Sequence, residues 1–338
     1  MTRDVSRFIV ADDFTRYGIV PGQPSPSPLY LQIELTDRCN LTCRSCPRAW
    51  TPSSGTVLST DDFRRLVGEM PLLRHVSFVG LGEVLLLKTF PEYLRICAEW
   101  GIFSSCNSNG VVVPKRLEPA LQAGLGKIAI SIDAHDRELL ARLRSGVRRE
   151  VMEEAFRCAV DLTRRYGARV SAAITVGSAN LDDLPHLMRF LVGLEVPEVT
   201  LESLHHWGDD KSLNSESILA TDRSRVAATM EEALTIADEA GVAVECFDYL
   251  GLWEKAGAVG GHCPWPWDSM VVTSTGEVTP CCVQLSATES NRLGNVGQST
   301  VADIWNGQRF AEFRESFFNG SPWSACEGCV YRAEFGRV

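Results

Sequence analysis

Lysine is scarce in this 338-residue chain: five of the 33 basic residues are Lys, and 43 acidic residues leave a formal net charge of −10. That balance excludes nucleic acid as the main partner, because binding a phosphate backbone needs a basic face. The basic cluster Arg142, Arg144, Arg148 and Arg149 reads as a solvated helix end and loop. No apolar run approaches the roughly 18 residues of a membrane span, and the N-terminus (MTRDVSRFIVADDF) lacks the apolar core of a signal peptide. The sequence therefore predicts a cytoplasmic chain without a membrane partner. Hydrophobic content, at 45%, is that of an ordinary folded protein.

Cysteine, by contrast, is abundant, with twelve in all. In a reducing compartment this points to metal binding or catalysis and not to a disulfide framework. Cys97, Cys106, Cys158 and Cys246 are scattered and read as small buried hydrophobes. The rest form two groups: Cys39, Cys43 and Cys46, then Cys263, Cys281, Cys282, Cys326 and Cys329. The first is spaced C-x3-C-x2-C, an arrangement expected by chance about 0.015 times per chain of this composition. A local zinc knuckle needs a fourth ligand, and no Cys or His lies between Cys46 and His75. Strand patterns at Leu31–Leu35, His75–Gly80, Ile102–Cys106, Lys127–Ile132, Arg169–Val176 and Glu198–Leu201 alternate with helical patterns near 59–70, 89–99, 115–123, 136–165, 181–192 and 222–240. Six β-α units imply a parallel sheet with right-handed crossovers, and chemistry gathers where such strands end. Cys39 follows the first strand by four residues. Three thiolates without a fourth suit a [4Fe–4S] cluster with one open iron.

With these residues the chain resembles the radical S-adenosylmethionine (SAM) superfamily, whose hallmark is C-x3-C-x2-C after the first strand of a partial (β/α)6 TIM-like barrel. The resemblance implies that SAM chelates the open iron and that reductive cleavage gives a 5′-deoxyadenosyl radical, which abstracts a substrate hydrogen. The organic chemistry belongs to the cofactor, and the protein positions and shields it. Further segments match in order. Gly80-Leu81-Gly82-Glu83 is similar to the family's G-G-E segment at the SAM ammonium. Asn107-Ser108-Asn109-Gly110 is similar to its T-N-G turn, and Ser131-Ile132-Asp133-Ala134 to the S-x-D-G segment near the ribose. Asn180 stands where the family has a residue near the SAM carboxylate. The resemblance thus implies Gly82, Glu83, Asn109, Ser131, Asp133 and Asn180 as SAM-binding residues. Ser45 departs from the pattern, since an aromatic residue usually precedes the third cysteine.

The second cysteine group surrounds a hairpin pattern, Met270–Thr273 and Glu277–Thr279 about Ser274-Thr275-Gly276, followed by an amphipathic helical pattern over Thr300–Phe318. It resembles the SPASM/twitch extension of radical SAM enzymes. Because no cysteine follows Cys329, the resemblance implies the shorter twitch form, with Cys263, Cys281, Cys326 and Cys329 holding one auxiliary [4Fe–4S] cluster. A four-cysteine zinc site is the alternative. The expected organisation is an α/β fold: an N-terminal extension (1–30), a radical SAM partial barrel (31–250) and a twitch domain (251–338).

Within that subgroup, the thirty-eight Pro/Ser-rich residues before Cys39 are too few for a leader-binding domain, which favours a small-molecule substrate. The resemblance is greatest to twitch enzymes that oxidise a hydroxyl carbon of a sugar or aminocyclitol to a ketone in antibiotic biosynthesis. The auxiliary cluster then takes an electron, and a flavodoxin- or ferredoxin-type protein supplies the first one. Such a dehydrogenase needs a base, and Glu202, His205 and His206, after the sixth strand, are the candidates. Redox-neutral chemistry (decarboxylation, deamination or epimerisation, with Cys282 or Cys106 as hydrogen-atom donor) and radical modification of a peptide stay open. Trp265 and Trp267 read as packing residues.

Overall fold

Tyr30-Leu31-Gln32-Ile33 is apolar enough to lie inside a sheet, and this stretch is strand β1 (Tyr30–Ile33), hydrogen-bonded on both edges by parallel neighbours. The structure is a computed structural model describing residues 23–49, 53–204, 213–247, 263, 265–285, 287–319, 321, 323 and 326. After β1 come α1 (Thr60–Gly68), β2 (His75–Phe78), α2 (Phe90–Glu99), β3 (Phe103–Ser108), α3 (Val113–Gln122), β4 (Lys127–Ser131), α4 (Arg137–Leu143), α5 (Arg149–Tyr166), β5 (Arg169–Val176), α6 (Leu184–Gly193), β6 (Glu198–Ser203), α7 (Arg223–Glu239) and β7 (Ala243–Cys246). A one-turn helix α8 (Trp265–Asp268) leads into β8 (Ser269–Val272), β9 (Glu277–Thr279), β10 (Gly294–Asn295), α9 (Val301–Trp305) and α10 (Gln308–Glu315).

The strands form one sheet in the order β10-β9-β8-β1-β2-β3-β4-β5-β6-β7, parallel from β8 to β7, with β9 and β10 antiparallel at one end. This is the expected α/β partial barrel. One face of its strands is apolar and fully covered: Leu31, Ile33, Val76, Cys106, Ile128, Ile130, Ala172 and Val199 are each at most 1% exposed. The opposite, inner face carries small and polar residues, in registered neighbours such as Asn107 beside Ala129, Ser131 beside Ala173, and Thr175 beside Glu202. Such short side chains leave room inside the barrel at the ends of β3 to β6. Toward the strand starts the interior is closed by Glu198, which pairs with Lys127 Nζ at 2.8 Å and Arg169 Nε at 2.6 Å.

Four differences from the sequence pattern have local causes. The helix expected over 136–165 is two helices, because Ser145 (φ 51°) and Gly146 (φ 77°) adopt left-handed conformations and stop α4. The helix expected over Thr300–Phe318 likewise breaks at Asn306-Gly307. Strand β7 adds a seventh parallel strand. The expected hairpin is present, but β8 also pairs with β1, so the C-terminal segment continues the barrel's own sheet. The expected boundary near residue 30 coincides with the start of β1, and that near residue 250 lies outside the described residues. No helix among the described residues is long and apolar enough to cross a membrane.

Candidate functional site

The loop leaving β1 is shaped before any thiol is considered. Asp37 accepts from the backbone N–H of Ser54 and of Gly55 (3.0 Å) and from Ser54 Oγ (2.8 Å). These donors hold its carboxyl below the usual range, although burial acts the other way. Arg48 donates to the carbonyls of Asp37 and Leu41, both at 3.0 Å, and ties the far side of the loop to its start. On this frame Cys39, Cys43 and Cys46 stand as half-buried free thiols. Burial pushes the Cys43 and Cys46 thiols up, and the charges of neighbouring cysteines add to it: Cys39 for Cys43, and Cys43 with Cys39 for Cys46. The three thiols thus lie near enough to feel one another's charge. Among the described residues, no three Cys, His or acidic side chains are gathered tightly enough to hold a metal ion.

Arg144 pulls the same thiols back down. The sequence reading put this residue in a solvated loop. Arg142 and Arg148 are indeed exposed, but the Arg144 side chain is 11% exposed and donates from Nε to Asp133 Oδ2 at 2.7 Å. The α4–α5 break explains the difference, because the turn it creates folds back over the cysteine loop. Thr42 N–H donates to Ser145 Oγ (2.8 Å) and Arg44 N–H to the Leu143 carbonyl (3.1 Å), gripping the loop on both sides of Cys43. Ser145 was not singled out from sequence, although the Ser-Gly pair was a visible helix-stop signal.

The Gly80–Glu83 segment lies directly on the start of the cysteine loop. A Cβ at Gly82 would stand 2.0 Å from the Thr36 carbonyl oxygen and 2.8 Å from that of Arg38, so only glycine fits. Glu83 is 2% exposed. It accepts from Asn109 N–H (2.6 Å), Ser108 Oγ (3.0 Å) and Leu85 N–H (3.1 Å), and burial raises its pKa despite those bonds. Asn109 Nδ2 reaches Asn40 Oδ1 (2.8 Å) and Cys39 Sγ (3.6 Å), which brings the third-strand turn onto the first cysteine. Asp133 uses its other oxygen to accept from Thr175 N–H at 3.0 Å. Asn180 braces the same corner, with Nδ2 donating to the Asp133 and Thr175 carbonyls (2.7 and 2.9 Å) and Oδ1 accepting from Gly177 N–H (2.8 Å). Ser131 ends β4 on the inner face, half-buried. Thus Glu83 and Asn109 form one hydrogen-bonded group against the cysteine loop, and Asp133, Arg144 and Asn180 form a second at the ends of β4 and β5.

Glu202 projects from the inner face of β6, open to water yet enclosed by the barrel. That enclosure, with Asp133 and Glu245 nearby, raises its pKa. Neither Glu202 nor Glu245 has an ion-pair partner among the described residues. His205, His206 and Cys329 lie outside the described residues. Cys106, considered as a hydrogen-atom donor, is corrected: it is fully buried on the helix-covered side of β3, and burial pushes its thiol well above the ordinary range. Cys282 is half-buried on the turn after β9, beside Cys281.

Around the auxiliary cysteines, α10 acts as a clamp. Arg314 donates to the Pro266 carbonyl (2.8 Å), three residues after buried Cys263. Phe313 packs its ring 5.1 Å from that of Trp323, whose carbonyl accepts from Cys326 N–H at 2.7 Å. Arg309 reaches the Ser290 and Arg292 carbonyls at 2.7 and 3.2 Å. One short helix thereby fixes the segments bearing Cys263 and Cys326 to each other. Trp267 (2% exposed) packs on Phe317, and Trp265 on Tyr30, so both tryptophans pack as expected.

Comparison with known proteins agrees with this architecture. Residues 33–191 match the family described as the radical SAM superfamily, and residues 263–330 match SPASM, an iron–sulfur cluster-binding domain. The PqqA peptide cyclase of Xanthomonas campestris pv. campestris (strain 8004) is 27% identical over 324 residues, covering 91% of this chain and 80% of that protein. That of Methylobacterium sp. (strain 4-46) is 26% identical over 310 residues, covering 89% and 79%. In fold, the chain is similar to Streptococcus suis SuiB bound to precursor peptide SuiA (TM-score 0.68, 14% identity, 86% and 67% covered). It is also similar to anSMEcpe solved with AdoMet and a peptide (TM-score 0.68, 18% identity, 90% and 88% covered).

Proposed function

We propose that this chain works as a radical SAM enzyme with a SPASM domain and modifies a peptide. The observation that carries the substrate class is the similarity to PqqA peptide cyclases along 91% of the chain. The sugar or aminocyclitol expected from sequence has no counterpart in the names of the relatives compared above, and peptide modification takes its place as the main reading.

In residue type, the donor sets suit the groups that the two domains imply. Cys39, Cys43 and Cys46 would hold the cluster that binds SAM, and Cys263, Cys281, Cys326 and Cys329 an auxiliary one. Bound there, the first supplies the electron that cleaves SAM, and the second supplies a sink for an electron from substrate. The chain's own part is to position and exclude. The Gly80–Glu83 and Asn109 segments close over one side of the thiols, and the Asp133–Arg144 pair over another. Ser131 and Asp133 stand at the end of β4, where they would meet SAM, with Asn180 keeping the ends of β4 and β5 together. The open interior at the ends of β3 to β6 admits a substrate side chain, and Glu202 is placed there to take a proton. Burial raises its pKa above the ordinary carboxylate value, which makes it a better proton acceptor. A flavodoxin- or ferredoxin-type donor supplies reducing equivalents from outside.

The test is anaerobic turnover of reconstituted enzyme with short peptides encoded beside its gene in one arm and aminocyclitols in the other. The proposal expects a peptide to stimulate deoxyadenosine formation and to lose about 2 Da, one pair of hydrogens, on modification. Stimulation by the aminocyclitol arm alone would overturn it.

A further inference from the structure

Glu34 plays no part in the chemistry above, yet its carboxylate joins two separate parts of the molecule. It lies at the exit of β1 and is 5% exposed. Oε2 accepts from Leu81 N–H at 2.6 Å, in the middle of the Gly80–Glu83 segment. Oε1 accepts from Ser274 N–H at 3.2 Å and Ser274 Oγ at 2.8 Å, in the turn joining β8 to β9 of the SPASM domain. Its own N–H donates to the Val272 carbonyl at 2.9 Å, the last rung between β1 and β8. Contact on the segment side is close: a Cβ at Gly80 would lie 2.4 Å from Glu34 Cβ and Cγ. No ion pair to Glu34 occurs among the described residues. A buried carboxylate without a cation depends on such donors, and here one comes from the SAM-side segment and two from the auxiliary hairpin.

We propose that Glu34 is a positioning residue that couples the seating of the auxiliary hairpin to the Gly80–Glu83 segment, so that SAM affinity depends on a contact made at Ser274. The inference rests on the reading that this segment serves SAM. Geometry gives the direction of coupling. Ser274 fixes Oε1, which fixes the carboxylate plane, which fixes where Leu81 N–H and hence the Gly82–Glu83 peptide must sit. Glu83 N–H, in turn, is anchored to the Arg38 carbonyl at 2.9 Å, one residue before Cys39. Loosening Ser274 therefore frees the carboxylate to rotate, and the segment loses one of its two ties.

Equilibrium dialysis of SAM against the anaerobically reconstituted full chain tests this with Ser274→Ala, Glu34→Gln, the double variant and Glu83→Gln. Ser274→Ala removes one hydroxyl and leaves the backbone donor, so folding is not at risk. Expected are a SAM Kd about three- to tenfold weaker for Ser274→Ala, the loss of one hydrogen bond's worth, with unchanged iron content and recovery in Ser274→Thr. Glu34→Gln turns an amide toward Leu81 N–H or Ser274 and weakens SAM further, and the double variant is no weaker than Glu34→Gln alone. Wild-type affinity in Ser274→Ala, or effects that add in full, would overturn the coupling. A purely structural role would lower the melting temperature and leave SAM Kd alone. Unchanged SAM affinity in Glu83→Gln would instead overturn the underlying reading of the segment, so the two failures are distinguishable.

Discussion

Arg144 Nε lies 2.7 Å from Asp133 Oδ2, with the two side chains only 11% and 8% exposed. Removing one partner strands the other charge in a site that water does not reach. Arg144→Leu should destabilise the iron-free protein by about 3–5 kcal/mol, the cost of a broken buried pair, and Asp133→Leu/Arg144→Leu should recover part of it. Urea unfolding checks both. A single variant within about 1 kcal/mol of wild type would show that the pair is not buried as described.

Gly82→Ala places a methyl against two backbone carbonyls that have no side-chain freedom to move away. The expected loss is about 1–3 kcal/mol or more, together with weaker SAM binding because the Glu83 peptide must shift. Gly193, near the end of α6, has nothing within 4 Å of its Cβ position and serves as the control. Gly193→Ala should gain up to about 1 kcal/mol from helix propensity. Thermal melts and SAM titration of the two variants make the comparison.

Ser145→Gly separates two effects. The left-handed residue (φ 51°) loses its strain, worth about 1–2 kcal/mol, while Thr42 N–H loses the Ser145 hydroxyl, worth about 1 kcal/mol. Stability should hardly change. The cysteine loop, however, loses its grip beside Cys43, so a chelator should strip iron from that site faster than from wild type. Equal stripping rates would remove Ser145 from the loop's support.

Burial raises the folded-state pKa of Glu83 above its unfolded value. Such a group contributes stability that is fully present below the unfolded pKa and is lost as pH rises through the folded one. Glu83→Gln cannot ionise and lacks this loss. Whatever its absolute melting temperature, the difference between iron-free Glu83→Gln and wild type should move in the variant's favour as pH rises above about 4.5. A difference that stays flat or moves the other way contradicts the assignment.

Much of this molecule was legible because its signals are local. Hydrophobic runs at 31–35, 127–132 and 169–176 had to be buried strands, and C-x3-C-x2-C named its own chemistry. What escaped the sequence depends on contacts between distant segments. Arg144 looked like one more solvated arginine because its partner, Asp133, lies across a turn that the continuous 136–165 periodicity concealed. The pairing of β8 with β1 was hidden because a hairpin pattern specifies its own turn and says nothing of its outer edge. The role of Glu34 escaped for the same reason, since its partners lie 47 and 240 residues away. Cys106, considered as a donor, is excluded by strand alternation, a period-2 argument that its neighbours Phe78 and Ile128 make only once the register is known.

The most direct measurement is iron content and deoxyadenosine formation in a Cys39→Ala/Cys43→Ala/Cys46→Ala variant reconstituted anaerobically beside wild type. Two four-iron clusters predict about eight irons per wild-type chain and about four in the variant. Deoxyadenosine should be absent from the variant while the SPASM cluster's absorbance persists. Deoxyadenosine formation at the wild-type rate by a folded variant would contradict the account at its centre.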